Sequence, residues 1–278
     1  MLSFIHWSCD PELVRIGSFG IRYYSLCWVI GIASGYFVVK KMFKKEKLDV
    51  STVDALLVYV CLGALIGARL GHCLFYDFKY FSHNPLEIIL PVTRTPTGFK
   101  FTGYAGLASH GGAVGVVLAL VLFSRKHHVK LLSLLDKLAF VAPLAGAFIR
   151  IGNFFNSEIL GSPSSVPWAV VFDRVDNIPR HPAQLYEAMA YFIIFTILIF
   201  TYRKIRTRKL NDGVLFGLSI TFIFFARFFI EYCKEVQEPF EIGLRASLGM
   251  DMGQLLSLPF VVIGLYFFIR GVWRKPCR

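Results

Sequence analysis

The sequence predicts an all-α integral membrane protein. The expected architecture is a seven-transmembrane-helix bundle with small extracytoplasmic elements, the N-terminus outside and the C-terminus in the cytoplasm. Three observations predict it. Hydrophobic residues make up 55% of the 278, charged residues only 17%, and mean hydropathy is +0.58; a water-soluble surface needs more polar area than that. Seven apolar runs approach the ~20 residues that cross a hydrocarbon layer of roughly 30 Å. The basic residues alternate between dense and sparse links along the chain.

The spans are expected at about 23–42, 54–75, 106–124, 132–152, 186–202, 213–233 and 252–271, the fifth being the shortest. Of the 30 Lys and Arg, 17 fall in the links 40–50, 125–131 and 203–212 and in the tail from Arg270. Nine fall in the N-terminal segment and in links 77–105, 153–185 and 234–251, and four lie inside spans. The positive-inside rule then sets the stated orientation. The net charge of +12 is therefore topological, with a contribution to anionic lipid binding, and nucleic acid is not an expected partner.

Residues 1–22 lack a basic start followed by an apolar core and read as a short external segment, not a cleavable signal peptide. The six cysteines include no C-x-x-C pair and read as small apolar fillers. No repeat or linker divides the chain, so residues 1–278 read as a single polytopic domain. Its extracytoplasmic segments are 77–105 and 153–185, rich in Pro, Gly, Thr and aromatics, and WAVVF in the second has strand character.

Charges inside the spans carry the functional reading. An ionised side chain at mid-bilayer costs at least ~2.5–3.5 kcal/mol. Arg69, Arg150 and Arg227 should therefore avoid lipid tails and, since arginine does not neutralise, meet an anion. Arg227, in ARFFIEY, has Glu231 one turn on, so an ion pair that merely hides a charge competes with a ligand role. Arg69 sits between Gly67 and Gly71, a spacing that equally suits close helix packing. Lys137 and Asp136 are expected to snorkel toward the cytoplasmic interface.

Arg150 opens RIGNFFNSEILG, with Asn153, Asn156 and Glu158 following. If the helix continues through Asn153, the arginine and the amide share a face; if it breaks at Gly152, backbone amides open toward the same place. Either way, donors suited to a phosphate gather at the external end of a span. The alternative is that they only satisfy one another. His110, in SHGG after the Gly-rich TGYAGLA, stands at a membrane boundary where it can act as base or acid, the alternative being a packed histidine. PRHPAQLYE, from Pro179 to Glu187, reads by itself as a helix start with interface anchors. In DMGQLLSLP, Gln254 and Ser257 share a face of the last span. His127 and His128 lie in a basic cytoplasmic link and need no metal; neither a metal nor another cofactor is expected.

Taken in order, RYYSL near Tyr24, GARLGHCLFY, SHGGAVG, RIGNFFNSEILG, RHPAQLYE, ARFFIE and MGQLLSLP resemble the blocks of the bacterial prolipoprotein diacylglyceryl transferases, from about residue 20 to 260. Two positions depart from the family pattern: Ile149 stands where glycine is usual, and Ile223 where many members have tyrosine. The resemblance implies a seven-span protein of the bacterial cytoplasmic (inner) membrane, its active site toward the periplasmic side. The implied reaction passes the diacylglyceryl group of phosphatidylglycerol to the cysteine thiol of a prolipoprotein signal peptide. For that reaction the residues themselves suggest His110 as proton acceptor and Arg150 and Arg227 as the cations that stabilise the departing phosphate, and the resemblance implies Asn153 and Gly161 as shapers of its pocket. Glu158 and Glu231 would orient arginines, Tyr24 would contact the lipid head group, and Arg69 is placed with the substrate-binding residues.

An anion or lipid transporter would use intramembrane arginines equally well, but no internal symmetry of two halves is visible. An intramembrane serine protease would need more than the adjacent Ser109 and His110, and no G-x-S-x-G motif is present.

Overall fold

Each apolar run becomes a helix in the computed structural model, which describes residues 4–17, 19–90, 92–95, 98–101, 106–208, 211–236 and 239–273. The chain opens with strands β1 (Ile5–Trp7), β2 (Glu12–Ile16) and β3 (Phe19–Arg22). Helices α1 (Tyr23–Glu46), α2 (Thr52–Phe75), α3 (Phe78–His83) and α4 (Leu86–Ile89) follow, then β4 (Val92–Thr95) and β5 (Gly98–Phe101). Next come α5 (Ser109–His127), α6 (Leu131–Asn156), β6 (Val170–Phe172), β7 (Pro179–Arg180) and α7 (Ala183–Arg208). The chain closes with α8 (Val214–Ile230), a 3-10 turn at Glu231–Cys233, α9 (Pro239–Leu248) and α10 (Met252–Trp273). The expected spans match the long helices to within four residues at each end, except the fifth: expected as the shortest, at 186–202, it lies in the 26-residue α7, which runs on to Arg208. Residues 102–105 of the Gly-rich loop and the basic tail from residue 274 lie outside the described residues.

Six of these helices are long and apolar enough to cross a membrane: Tyr23–Glu46, Thr52–Phe75, Leu131–Asn156, Ala183–Ile205, Val214–Cys233 and Met252–Trp273. The run expected at 106–124 is helical as α5, but its 19 residues begin with SHGG and end with SRKH. Those polar ends shorten the apolar stretch below spanning length, so α5 is not among the six.

The chain divides into two compact units: Met1–Met42 with Leu135–Arg278, and Phe43–Leu134. In the first, α1 packs on α6 where Gly31 faces Ala145; a Cβ on Gly31 would lie 3.3 Å from the Ala145 backbone. Helices α8 and α10 approach through Gly217 and Gly264, and a Cβ on Gly264 would come within 2.8 Å of the Gly217 carbonyl oxygen. Helix α7 meets α6 through aromatic contacts, among them Phe140 with Phe195 and Phe148 with Phe192. Asp136 and Lys137 do not snorkel; both are buried. Asp136 instead accepts the backbone N–H groups of Gly213 and Phe216, each at 2.7 Å, and so caps the N-terminus of α8 from another helix. Beyond the helices, β1 pairs parallel to β6 and β7 antiparallel to β6. The expected strand in WAVVF is β6. Its Val170 and Phe172 pack with Phe154 of α6, flanked by Trp7, Leu160 and Leu185.

In the second unit α2 and α5 pack along a glycine stripe, Gly63, Gly67 and Gly71 against Gly111 and Gly115. A Cβ on Gly115 would lie 2.9 Å from the Gly67 Cα. The packing expected of the Gly67–Gly71 spacing is therefore present, and the first glycine of SHGG, Gly111, serves the same contact.

Candidate functional site

The signature after Arg150 is built by α6 continuing to Asn156, one of the two courses the sequence allowed. Arg150 Nη1 donates to Asn153 Oδ1 at 3.4 Å, so arginine and amide share a face. The chain then reverses through Ser157 and Ile159, both at positive φ (55° and 56°). That reversal swings the Glu158 side chain back over the helix end. Asn153 Nδ2 and Asn156 Nδ2 donate to its two carboxylate oxygens at 3.3 and 3.1 Å, and Gln184 Nε2 donates to its backbone carbonyl at 2.6 Å. Glu158 thus reaches Arg150 only through Asn153.

Glu187 of α7 is the carboxylate against Arg150. Its Oε2 lies 2.7 Å from Arg150 Nε, and its side chain is fully buried. The Nε–H is not aligned on that oxygen, so the contact is an ion pair without a directed hydrogen bond. The other oxygen, Oε1, accepts from Lys234 Nζ at 3.0 Å. Lys234, only 4% exposed, also donates to Glu231 Oε2 at 3.0 Å. Arg150, Glu187, Lys234 and Glu231 form a chain of alternating charge that is neutral as a whole.

Residues 160–162 hold Lys234 there. Ser162 N donates to the Cys233 carbonyl at 2.9 Å, Glu235 N to the Leu160 carbonyl at 3.2 Å, and Gly161 and Lys234 form an antiparallel bridge. A Cβ on Gly161 would lie 2.8 Å from both the Cys233 carbonyl oxygen and the His181 Cβ, so two chain segments leave room only for glycine. Arg180, also buried, donates to the Gly161 carbonyl at 3.3 Å, to Glu235 at 2.9 Å and to Asp176 at 2.6 Å. The Arg180 hydrogen bond holds the Asp176 carboxyl below the usual carboxylate range, and Asp176 in turn raises Arg180.

Arg227 behaves differently from Arg150. Of the two readings its spacing allowed, the pair with Glu231 does not form: Glu231 is taken by Lys234 and its carboxylate packs over Gly253. Arg227 shares with Arg150 and Glu187 an electrostatic neighbourhood around the buried Tyr191 of α7. It forms no ion pair among the described residues. Tyr24, at the start of α1, packs on Gly152, where a Cβ would come within 2.9 Å of its ring. Gln254 and Ser257 are both buried on one face of α10, as expected, and Gln254 Nε2 donates to the Phe228 carbonyl of α8 at 3.2 Å.

The second unit holds the other two assigned residues. Arg69 is buried among backbone carbonyls of the link after α2: Ile88 at 3.2 Å, Gly106 at 3.5 Å, and Glu87. Its guanidinium lies 4.8 Å from the Phe81 ring centroid. This geometry is that of a strap holding the link to α2. His110 lies in the first turn of α5, exposed, and lines an apolar groove of about 620 Å³ with Gly67, Leu74 and Tyr76.

Three residues that the sequence reading did not assign to the site hold it together: Glu187, Lys234 and Tyr191. Glu187 was detectable by the argument applied to the arginines, since an acid entering an apolar run needs a cation. Lys234, three residues after Glu231, was a visible competitor for it.

These features define a polytopic membrane protein with a buried ion-pair chain at one end of its helices and, beside it, an arginine that no described carboxylate neutralises. The chain belongs to the prolipoprotein diacylglyceryl transferase family, whose pattern matches residues 11–270. It is 48% identical over 268 residues to the phosphatidylglycerol–prolipoprotein diacylglyceryl transferase of Bacteroides fragilis, covering 96% of this chain and 95% of that one. Proteins of the same name from Tolumonas auensis (40% identity, 98% and 99% coverage) and Porphyromonas gingivalis (41%, 97% and 95%) are similar along the same length.

Proposed function

We propose that this protein transfers the diacylglyceryl group of phosphatidylglycerol to the lipobox cysteine thiol of prolipoproteins, the first step of lipoprotein maturation. The thiolate attacks the glyceryl carbon that carries the phosphate. A carbon–sulfur bond forms, the carbon–oxygen bond breaks, and glycerol phosphate leaves with the electron pair. The names of the relatives support the substrate and the reaction. Within the structure, the observation that carries the reading is Arg227, a permanent cation without a carboxylate partner among the described residues, next to the neutral Arg150–Glu187–Lys234–Glu231 chain. A phosphodiester supplies the missing negative charge. As the bond to oxygen breaks, charge grows on the departing phosphate, and fixed cations in a low-dielectric site stabilise that growth more than the ground state.

Arg150 and Arg227 are assigned to the phosphate, with Asn153 directing Arg150. Tyr24, which packs on Gly152, is assigned to the head group. His110, exposed at the start of α5, is assigned as the proton acceptor of the thiol. Glu158 and Glu231 act through their hydrogen-bonded neighbours. Gly161 keeps two backbone segments together, and Arg69 holds the link after α2. In this reading α5 is a seventh span, its short apolar stretch extended at both polar ends. The C-terminus is cytoplasmic and the site faces the periplasm across the inner membrane, as the distribution of Lys and Arg supports. The test is mass spectrometry of a lipobox peptide incubated with the purified protein and phosphatidylglycerol. A diacylglyceryl adduct on cysteine is expected; a peptide left unmodified by active-site-intact protein refutes the assignment.

A further inference from the structure

We propose that Lys234 is a positioning residue for phospholipid binding: by holding Glu231 against Glu187, it keeps that carboxylate off Arg227 and leaves the arginine free for phosphate. The inference rests on the reading that Arg227 binds an anionic lipid head group. Glu231 lies four residues after Arg227, the spacing at which a glutamate ordinarily closes an ion pair along a helix. It does not do so here. The helix tightens into a 3-10 turn at Glu231–Cys233, and Glu231 Oε2 turns to Lys234 Nζ at 3.0 Å. Gly253 makes the space, since a Cβ there would meet the Glu231 carboxyl carbon at 2.6 Å. Lys234 itself has no freedom to leave. Its backbone is bridged to Gly161 of the signature loop, and its ammonium is divided between two carboxylates, Glu187 and Glu231.

The charges compete. Without the ammonium, Glu187 retains Arg150, whereas Glu231 is left with Arg227, one helical turn back. A buried, unpaired carboxylate is costly enough to draw a guanidinium within reach. Arg227 would then be neutralised by the protein and lost to the lipid. The effect differs from damage to the fold: it weakens binding of the anion, and removing the competing carboxylate reverses it.

The experiment uses the full-length protein in detergent micelles, with phosphatidylglycerol as ligand and a lipobox peptide as acceptor. Binding is read as lipid-induced thermal stabilisation, and turnover as KM for lipid and kcat. Lys234→Gln is expected to raise the dissociation constant and KM for phosphatidylglycerol on the order of tenfold, the scale of one charge-assisted hydrogen bond. Lys234→Arg should restore both, and Lys234→Gln combined with Glu231→Gln should restore the dissociation constant. If Lys234→Gln binds lipid like the parent protein, or the double variant binds as poorly as Lys234→Gln, the proposal is overturned. If Lys234→Gln does not fold, the comparison of Lys234→Arg/Glu231→Gln with Lys234→Arg decides it: equal lipid affinity supports a guard that is already complete, and a large gain in affinity without Glu231 overturns it. A parent protein that binds phosphatidylglycerol in this pattern but transfers nothing would sink the transferase reading and leave the role of Lys234 standing.

Discussion

Arg150 and Arg227 are the same residue type in two electrostatic situations, and their substitutions should separate accordingly. Removing Arg150 leaves Glu187 without one of its two cations; removing one partner of a buried pair costs roughly 3–5 kcal/mol. Arg150→Ala should therefore lose both thermal stability and transfer. Arg227 has no ion pair to break among the described residues, so Arg227→Gln should keep its melting temperature while transfer falls about 10²–10³-fold, the scale of one preorganised charge stabiliser. Equal loss of stability in the two variants would contradict this division. Outside the spans, Asp176 gives a pH-dependent term. Its folded carboxyl is held below the ordinary range by Arg180. The stabilisation is thus complete above the ordinary carboxylate range and is lost as pH falls through the depressed value. Thermal melts of the parent and of Asp176→Asn should converge at acid pH and diverge toward neutrality.

Among the elements, two helix contacts admit no added atoms. At Gly115 a Cβ would lie 2.9 Å from the Gly67 Cα and closer still to the Gly63 carbonyl. Neighbouring backbone has no rotamer by which to retreat, so Gly115→Val should destabilise the α2–α5 pair by about 1–3 kcal/mol or more. Melting in detergent measures it. The close approach of α8 and α10 at Gly217 and Gly264 is the other such contact. The cap that Asp136 provides to α8 is a further element-level device. Asp136→Ala should cost about 0.5–2 kcal/mol, as other lost helix caps do, because Gly213 and Phe216 keep unsatisfied N–H groups at the helix start. The backbone bridge of residues 160–162 to the turn after α8 matters for another reason: it carries Lys234 to Glu187. Gly161→Ala should therefore impair transfer through the buried lysine although position 161 holds no side chain.

At the scale of the whole molecule, the alternation of basic links fixes the expected topology. Reporter fusions in the 40–50, 125–131 and 203–212 links should read as cytoplasmic, and fusions in 153–185 as periplasmic. The discriminating position is the 125–131 link. Its cytoplasmic location requires α5 to cross, despite an apolar stretch too short to qualify by composition. A periplasmic reading there would remove the seventh span.

The sequence by itself determined the helical membrane class, the positions of the long helices, the close-packing glycines on either side of Arg69, and the family. These follow from local composition and from spacing along one chain, which a linear reading can see. The tertiary structure alone decided how the buried charges pair. Arg150 found its carboxylate on α7, Glu231 left its helical neighbour Arg227 for Lys234, and Arg69 went to carbonyls of the link that follows its own helix. A buried charge takes whichever opposite charge desolvation leaves within reach. That choice depends on which segments the fold brings together, here the reversal after Asn156 and the backbone bridge that ties Lys234 to Gly161; the interval from Glu231 to Lys234 names a competitor but not the winner.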